Sequence, residues 1–354
     1  MFKGVVDRYL LEDLEILANS NLPYELLTDS TVFITGATGL IGVQLIRALL
    51  MFNSKKNTRI KIIALVRNKN KAIEIFGSSI RNIIIVEGDV TTPIFYRGSV
   101  DYIIHCASVT SSRTMIKQPV ETLYTSIEGT RNTLEFACKK HVKSFIYVSS
   151  MEMYGSFTQL NHDVYENTLG YVDPLNVRSN YPEGKRICEN MCVAYLNEYG
   201  VPIKIARLAQ TFGAGVLKEE NRVFAQFARS VIKGEDIVLH TNGISEGNYC
   251  YTRDTVKALF LLLVKGVYGE AYNISNPETH TTIAEMARMV CEKIADNRIK
   301  VVFDIPKSNI FGYAADTKMK LNSDKMQALG WKPEVGLEEA FRRLIGSLKD
   351  TYNY

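Results

Sequence analysis

The most constraining stretch of this chain is an apolar run, Thr31–Thr35, that enters Gly36-Ala37-Thr38-Gly39-Leu40-Ile41-Gly42 and then a helix-period segment, Leu40–Phe52. Glycines spaced GxxGxxG between a buried strand and a helix meet three demands at once. They allow a tight turn, a close approach of backbone to a phosphate, and close packing of helix on strand. The pyrophosphate of a dinucleotide then lies at the positive end of the helix. A turn that serves packing alone is the competing reading of the glycines; their place after a strand and before a helix favours the nucleotide. We therefore expect Gly36, Thr38, Gly39, Leu40, Ile41 and Gly42 to hold NAD or NADP.

Apolar runs recur at Lys61–Val66, Ile83–Glu87, Tyr102–His105, Ser144–Ser149 and Ile203–Leu208, with helix-period segments such as Val120–Lys140 and Tyr181–Tyr199 between them. Short, continuously apolar strands separated by helices imply a parallel sheet covered on both faces. The expected fold is α/β: a doubly wound parallel-sheet Rossmann domain over residues 31–208, with a return segment near 240–265, and a smaller C-terminal substrate-binding lobe over 209–354. The first 30 residues read as a helical extension. Val6, Leu10, Leu14 and Leu17 share one face of a helix over residues 2–19, which would pack on the main domain or on a sister subunit.

Composition excludes several classes. A net charge of +4 gives no nucleic-acid stripe. Asp7, Glu12, Asp13 and Glu15 are foreign to a signal peptide, and Ala258–Val264 is too short to cross a membrane, so a cytoplasmic location is expected. The six cysteines are scattered and read as buried thiols, and the five histidines show no metal-ligand spacing.

Three further sites carry chemistry. At the end of the second strand, where an acidic residue would bind the ribose of NAD, stands Arg67, which suits the 2′-phosphate of NADP and gives a slight lean to that cofactor. Gly88-Asp89-Val90 is placed to meet the adenine, although Asp89 equally suits a loop cap. Among nineteen tyrosines only Tyr181 has a lysine, Lys185, four residues later, on the same helix face. A tyrosine is a poor base at neutral pH, and a nearby ammonium eases its ionisation. Ser150, at the carboxyl end of the fifth strand, can share the hydrogen bond of a reacting hydroxyl with Tyr181.

Together, Thr35–Gly42, Gly88-Asp89-Val90, His105-Cys106-Ala107-Ser108, Ser150–Gly155 and Tyr181–Lys185 resemble an extended short-chain dehydrogenase/reductase of the nucleotide-sugar epimerase/dehydratase family. Arg207–Gly213, Tyr251-Thr252-Arg253-Asp254, Gly269–Ile274 and Leu329–Pro333 extend the resemblance over roughly residues 31–345. It implies a bound NAD(P) touched also by Cys106, Ala107, Ser108, Tyr181 and Lys185, a nucleotide-diphosphate sugar oxidised at C4, and a homodimer through the Val120–Lys140 and Tyr181–Tyr199 helices. Glu152 stands where the family's dehydratases and uronate decarboxylases carry glutamate. It leads us to expect a 4,6-dehydratase with Glu152 as the C5 base. A 4-epimerase and a UDP-glucuronate-type decarboxylase are close alternatives, and a non-catalytic cofactor-binding protein a distant one. Met151, Gln210, Ser126 and Gly247 depart from the family pattern; Gly247 falls where many relatives have an arginine. Ser150, Met151, Gln210, Arg222 and Arg253 are the candidate substrate contacts.

Overall fold

The computed structural model describes residues 7–157, 163–307 and 316–352. Helix α1 (Arg8–Ala18) precedes the first strand, β1 (Thr31–Thr35), which feeds the glycine turn and α2 (Leu40–Lys56). There follow β2 (Lys61–Val66), α3 (Lys69–Phe76), β3 (Ile84–Glu87), β4 (Tyr102–His105), α4 (Ser112–Lys117), α5 (Pro119–Lys140), β5 (Ser144–Ser150), α6 (Asn180–Tyr199) and β6 (Ile203–Leu208). Each expected strand of this half is present. Ile83 lies just outside β3, and Val6 of the expected N-terminal helix lies outside the described residues.

The second half contributes β7 (Gln210–Phe212), α7 (Val223–Lys233), β8 (Ile237–Leu239), β9 (Glu246–Tyr251), α8 (Thr252–Lys265), β10 (Ala271–Ile274), β11 (Asn276–Thr282), α9 (Ile283–Met289), β12 (Val301–Phe303), α10 (Asp324–Gln327) and α11 (Leu337–Thr351). The main sheet has seven parallel strands in the order β10-β6-β5-β4-β1-β2-β3. Strand β10 pairs with β6, so the return to this sheet runs on past the α8 region to Ile274.

Alternation along the buried strands shows why both faces are covered. Val32 and Ile34 of β1 join Ile62 and Ala64 in a core shared with α2 and α8, while Phe33 joins Ile63, Leu65, Leu134 and Cys188 on the α5–α6 side. The expected parallel sheet rests on this double burial. A separate core, around Phe212, Phe224, Phe341 and Leu344, belongs to the smaller lobe. Among the described residues, no helix is long and apolar enough to cross a membrane.

Strand order reverses between β1 and β4, and such a switch point opens a crevice at the strands' carboxyl ends. Thr35 is level with His105, and His105 with Tyr147, so β5 runs three residues further, to Ser150. That overhang carries Ser150 and the following turn, Met151–Tyr154, over the crevice.

Helix α1 packs on the main domain, one of the two places expected for it. Its apolar face includes a buried carboxylate, Asp13, which accepts hydrogen bonds from Tyr251 at 2.5 Å and Arg253 at 3.2 Å and lies 2.9 Å from Arg343 of α11. Arg8 and Asp350 form a second tie between the first and last helices, a two-pronged ion pair with both bonds at 2.9 Å.

Candidate active site

Gly36 has φ +62°, and a Cβ there would lie 2.7 Å from the amide nitrogen of Ala107. The turn is therefore pressed against the loop that follows β4, as only glycine permits. A Cβ on Gly42 would overlap the carbonyl oxygen of Gly36, so this glycine serves helix–turn packing. Gly39 differs: a Cβ there would meet only the Gly36 oxygen, at 3.3 Å, and otherwise open space. Gly39 also N-caps α2 with no side chain bonded to the first-turn amides. An uncapped helix end of this kind attracts an anion. Nearby, the buried Ser108 Oγ has no hydrogen-bond partner, and Thr35 Oγ1 bonds both His105 Nδ1 (2.7 Å) and the Ala107 amide (3.2 Å). These residues fit a dinucleotide, whose diphosphate the open helix end at Gly39, Leu40 and Ile41 would receive.

Asp89 caps its own loop, accepting from the amide and the hydroxyl of Thr91 at 2.9 and 2.8 Å. Val90 is fixed by Asn132, which donates to its carbonyl at 2.9 Å. Arg67 is largely exposed and lies 4.0 Å from Asp89. A 2′-phosphate here would approach a carboxylate as well as a guanidinium.

Helix α6 presents Tyr181 and Lys185 one turn apart, under the β5 overhang. Burial, followed by the charge of Glu152, pushes the Tyr181 phenol up to about 12. Ser150, Arg222 and Arg178 act in the opposite direction. Lys185 was expected to ease that ionisation, yet the structure gives it other partners. Its Nζ donates to the Val148 carbonyl at 2.8 Å and lies 4.9 Å from the Tyr147 ring centroid, against 5.7 Å for Tyr181. Burial lowers its pKa, opposed by Cys188, Glu189 and Cys106. Cys106 is itself pushed up to about 12 by burial, so its thiol is not a nucleophile here. His105 is held down at about 3 by burial and by the charge of Lys185.

Glu152 lies beside this group, its Oε2 accepting from Arg178 Nη2 at 2.9 Å. Arg178 sits on the short turn Val177–Ser179, with Cζ 5.9 Å from the Tyr181 ring centroid. Sequence reasoning passed over Arg178; its signal was a lone basic residue one turn before the catalytic tyrosine. It also passed over Glu189, one turn beyond Lys185, which binds buried Arg207 at 2.7 Å and accepts from Ser149 at 2.6 Å. This pair anchors the strand end from below.

The remaining candidates separate. Met151 is buried, and its Cε lies 3.3 Å from where a Cβ on Gly247 would stand, so these two departures from the family pattern share one spot. Gln210 begins β7 and pairs in register with Tyr249. Arg222 caps α7, bonded to Glu220 at 3.0 and 2.7 Å, and its charge reaches Tyr181. Arg253 is a correction to the expected substrate contacts. Its side chain is buried among Asp13, Asp254 and Glu334, where it joins α1 to α8, and it is committed to structure.

The parallel-sheet fold agrees with comparisons to known proteins. The chain belongs to the NAD dependent epimerase/dehydratase family, whose model matches residues 32–275. UDP-glucuronic acid decarboxylase 6 of Arabidopsis thaliana is 31% identical over 323 residues, covering 89% of this chain and 90% of its own length. UDP-glucuronic acid decarboxylase 1 of Danio rerio is 31% identical over 317 residues, covering 89% of this chain and 71% of its own. Among solved structures, the Thermotoga maritima UDP-glucose 4-epimerase has a TM-score of 0.78 at 24% identity, covering 91% of this chain and 99% of its own. A Streptomyces venezuelae dTDP-glucose 4,6-dehydratase, solved with NAD, has 0.75 at 22% identity, covering 90% and 97%. At these identities the structural likeness speaks for the fold. The chain is an NAD-dependent enzyme.

Proposed function

We propose that this enzyme acts on a nucleotide-linked hexuronic acid, oxidising the sugar at C4 and releasing C6 as CO2. The observation that carries this reading is Met151. A 4,6-dehydratase must protonate the hydroxyl that leaves C6, and the strand-end position suited to that task holds a buried thioether with no proton to give. A 4-keto uronate needs no such acid. Its C5–C6 bond breaks with the electron pair moving to O4, CO2 leaves, and a proton is returned to C5. The relatives named as UDP-glucuronic acid decarboxylases, each matching 89% of this chain, support the same choice. The dehydratase expectation therefore gives way to its alternative, and Glu152, tied to Arg178, is read as an orienting carboxylate rather than a C5 base.

The Gly36–Gly42 turn and the Cys106–Ser108 loop would hold NAD, which would supply a reversible acceptor for the C4 hydride, given back to C4 once CO2 has left. Tyr181 takes the O4 proton, with Ser150 and the charges of Arg222 and Arg178 favouring the phenolate. Once protonated, Tyr181 donates to O4 as negative charge gathers there. Arg222, at the start of α7, is read as the contact for the diphosphate.

The test is incubation of the enzyme with NAD and either UDP-glucuronic acid or dTDP-glucose, with products weighed by mass spectrometry. We expect the uronate product to be lighter by CO2. Loss of water from the hexose, or an isomer of unchanged mass from either sugar without CO2 release, would overturn the proposal.

A further inference from the structure

We infer that helix α1 positions the loop between β7 and α7, residues 213–222, through two relays, Asp13–Tyr251–Ala214 and Asp7–Ser347–Gly215, and so sets the nucleotide-sugar end of the site from outside it. The inference rests on the reading of Arg222, which closes this loop, as the diphosphate contact. In the first relay the buried Tyr251 hydroxyl donates to Asp13 Oδ2 at 2.5 Å, and its oxygen accepts from the Ala214 amide at 3.2 Å. In the second, the buried Ser347 hydroxyl donates to Asp7 Oδ2 at 2.5 Å and accepts from the Gly215 amide at 2.8 Å. A hydroxyl has one proton. A carboxylate that takes it leaves only lone pairs to face the loop, so each aspartate fixes its hydroxyl as the acceptor for an amide that it does not itself bond.

The loop has no slack where these bonds meet it. A Cβ on Gly213 would lie 2.6 Å from the Tyr251 ring, and one on Gly215, where φ is +79°, would overlap Gln44 Nε2. Gln44 of α2 itself donates to the Ala214 carbonyl at 3.2 Å. Helix α1 is seated as closely, since the Tyr9 ring fills the place a Cβ on Gly346 of α11 would take. Anchoring α1 alone would not call for the relays. Asp13 already binds Arg253 and Arg343, and Asp7 already caps α1 through the Leu10 amide at 2.9 Å. What the relays add is a hold on two consecutive loop amides. Helix α7 fixes the far end, where Arg229 donates to the Glu220 carbonyl at 2.6 Å and to Asn221 Oδ1 at 3.1 Å, so the near end is where α1 decides the course of the loop. Asp7 and Asp13 are positioning residues, acting on Arg222 and through its charge on Tyr181.

The experiment compares wild type with Asp7→Asn, Ser347→Ala, Asp13→Asn, Tyr251→Phe, the double variant Asp13→Asn with Tyr251→Phe, and Arg222→Gln. Calorimetry reads UDP binding to the NAD-loaded protein and, separately, NAD binding. Hydrogen exchange followed by mass spectrometry reads the loop and the glycine turn. Each relay variant should exchange roughly twofold to tenfold faster in the loop and bind UDP roughly twofold to tenfold more weakly, while the glycine turn and NAD affinity stay within about twofold of wild type. Asp13→Asn should cost no further UDP affinity once Tyr251 is replaced, as two residues acting through one hydroxyl require. Ser347→Ala and Tyr251→Phe remove no charge and carry the test if Asp13→Asn melts early. Unchanged loop exchange in the relay variants, or equal loss of UDP and NAD affinity, would overturn the inference. Arg222→Gln separates it from the reading beneath it. If that variant binds UDP weakly and the relay variants do not, the diphosphate contact stands and the inference falls. If it binds UDP as wild type does, the diphosphate reading falls, and loop exchange alone decides whether α1 positions the loop.

Discussion

The Glu189–Arg207 pair offers a sharp test of how the active-site overhang is held. Glu189 and Arg207 side chains are 8% and 9% exposed, and the carboxylate accepts from Arg207 Nη2 at 2.7 Å, from Arg207 Nε at 3.1 and 3.2 Å, and from Ser149 Oγ at 2.6 Å. Glu189→Gln keeps the shape but turns one acceptor into a donor facing a buried cation. Removing one partner of a buried ion pair costs about 3–5 kcal/mol. Arg207 retains the Tyr154 hydroxyl at 2.9 Å and the Glu166 carbonyl at 2.6 Å, which places the cost near the lower end, about 3 kcal/mol. Unfolding entropy of about 2 cal/mol/K per residue gives roughly 0.7 kcal/mol/K for 354 residues, so the melting point should fall by about 4 °C. Differential scanning calorimetry reads this directly. The double variant Glu189→Leu with Arg207→Met removes both charges and should lose less stability than Glu189→Leu alone. A Glu189→Gln melt within about 1 °C of wild type, or a double variant less stable than the single, would refute the reasoning.

Further outcomes follow from the same geometry. Tyr181→Phe should lower turnover by about 10²–10⁴-fold with NAD affinity retained, and a variant that keeps wild-type turnover removes Tyr181 from the chemistry. Gly42→Ala should cost about 1–3 kcal/mol of stability through overlap with the Gly36 carbonyl. Gly39→Ala should cost less stability than Gly42→Ala but bind NAD weakly, since beyond a 3.3 Å contact with the Gly36 oxygen its added methyl points to where the diphosphate would lie; the reverse pattern contradicts both roles. Burial holds the ammonium of Lys204 at about 8, below its ordinary 10.5. Between those pH values the native chain has shed a proton that the unfolded chain still binds, so stability should rise with pH across that window. Lys204→Met should lack that rise, and parallel melting curves for the two proteins from pH 7 to 10 would rule it out.

The cofactor half was legible because its signals are local. A strand buried on both faces is apolar throughout, and the turn after it needs glycine at fixed spacing, so β1 to β6 and the Gly36–Gly42 turn could be read directly. Tyr181 and Ser150 were legible because the helix repeat and a strand's carboxyl end fix where they stand. What escaped was pairing across the chain. Nothing beside Arg253 in sequence says that its partners are Asp13 and Glu334, and it was taken for a ligand contact. Asp13, on the apolar face with Leu10, Leu14 and Leu17, was the one clue that a buried cation awaited it. Lys185 shows the limit within one helix: its spacing places it beside Tyr181, but the Val148 carbonyl, two positions short of Ser150, decides where its ammonium points.

The ties between α1 and α11 have a consequence for synthesis. Arg8 and Asp350, two of the residues that join these helices, are 342 positions apart. Helix α1 therefore gains its α11 partner only when α11 has been made, roughly 15–70 s later at ordinary elongation rates. Throughout that interval the Tyr9 ring and the carboxylate of Asp13 are without the α11 side of their packing. Until α11 docks, α1 presents surface that the finished fold covers.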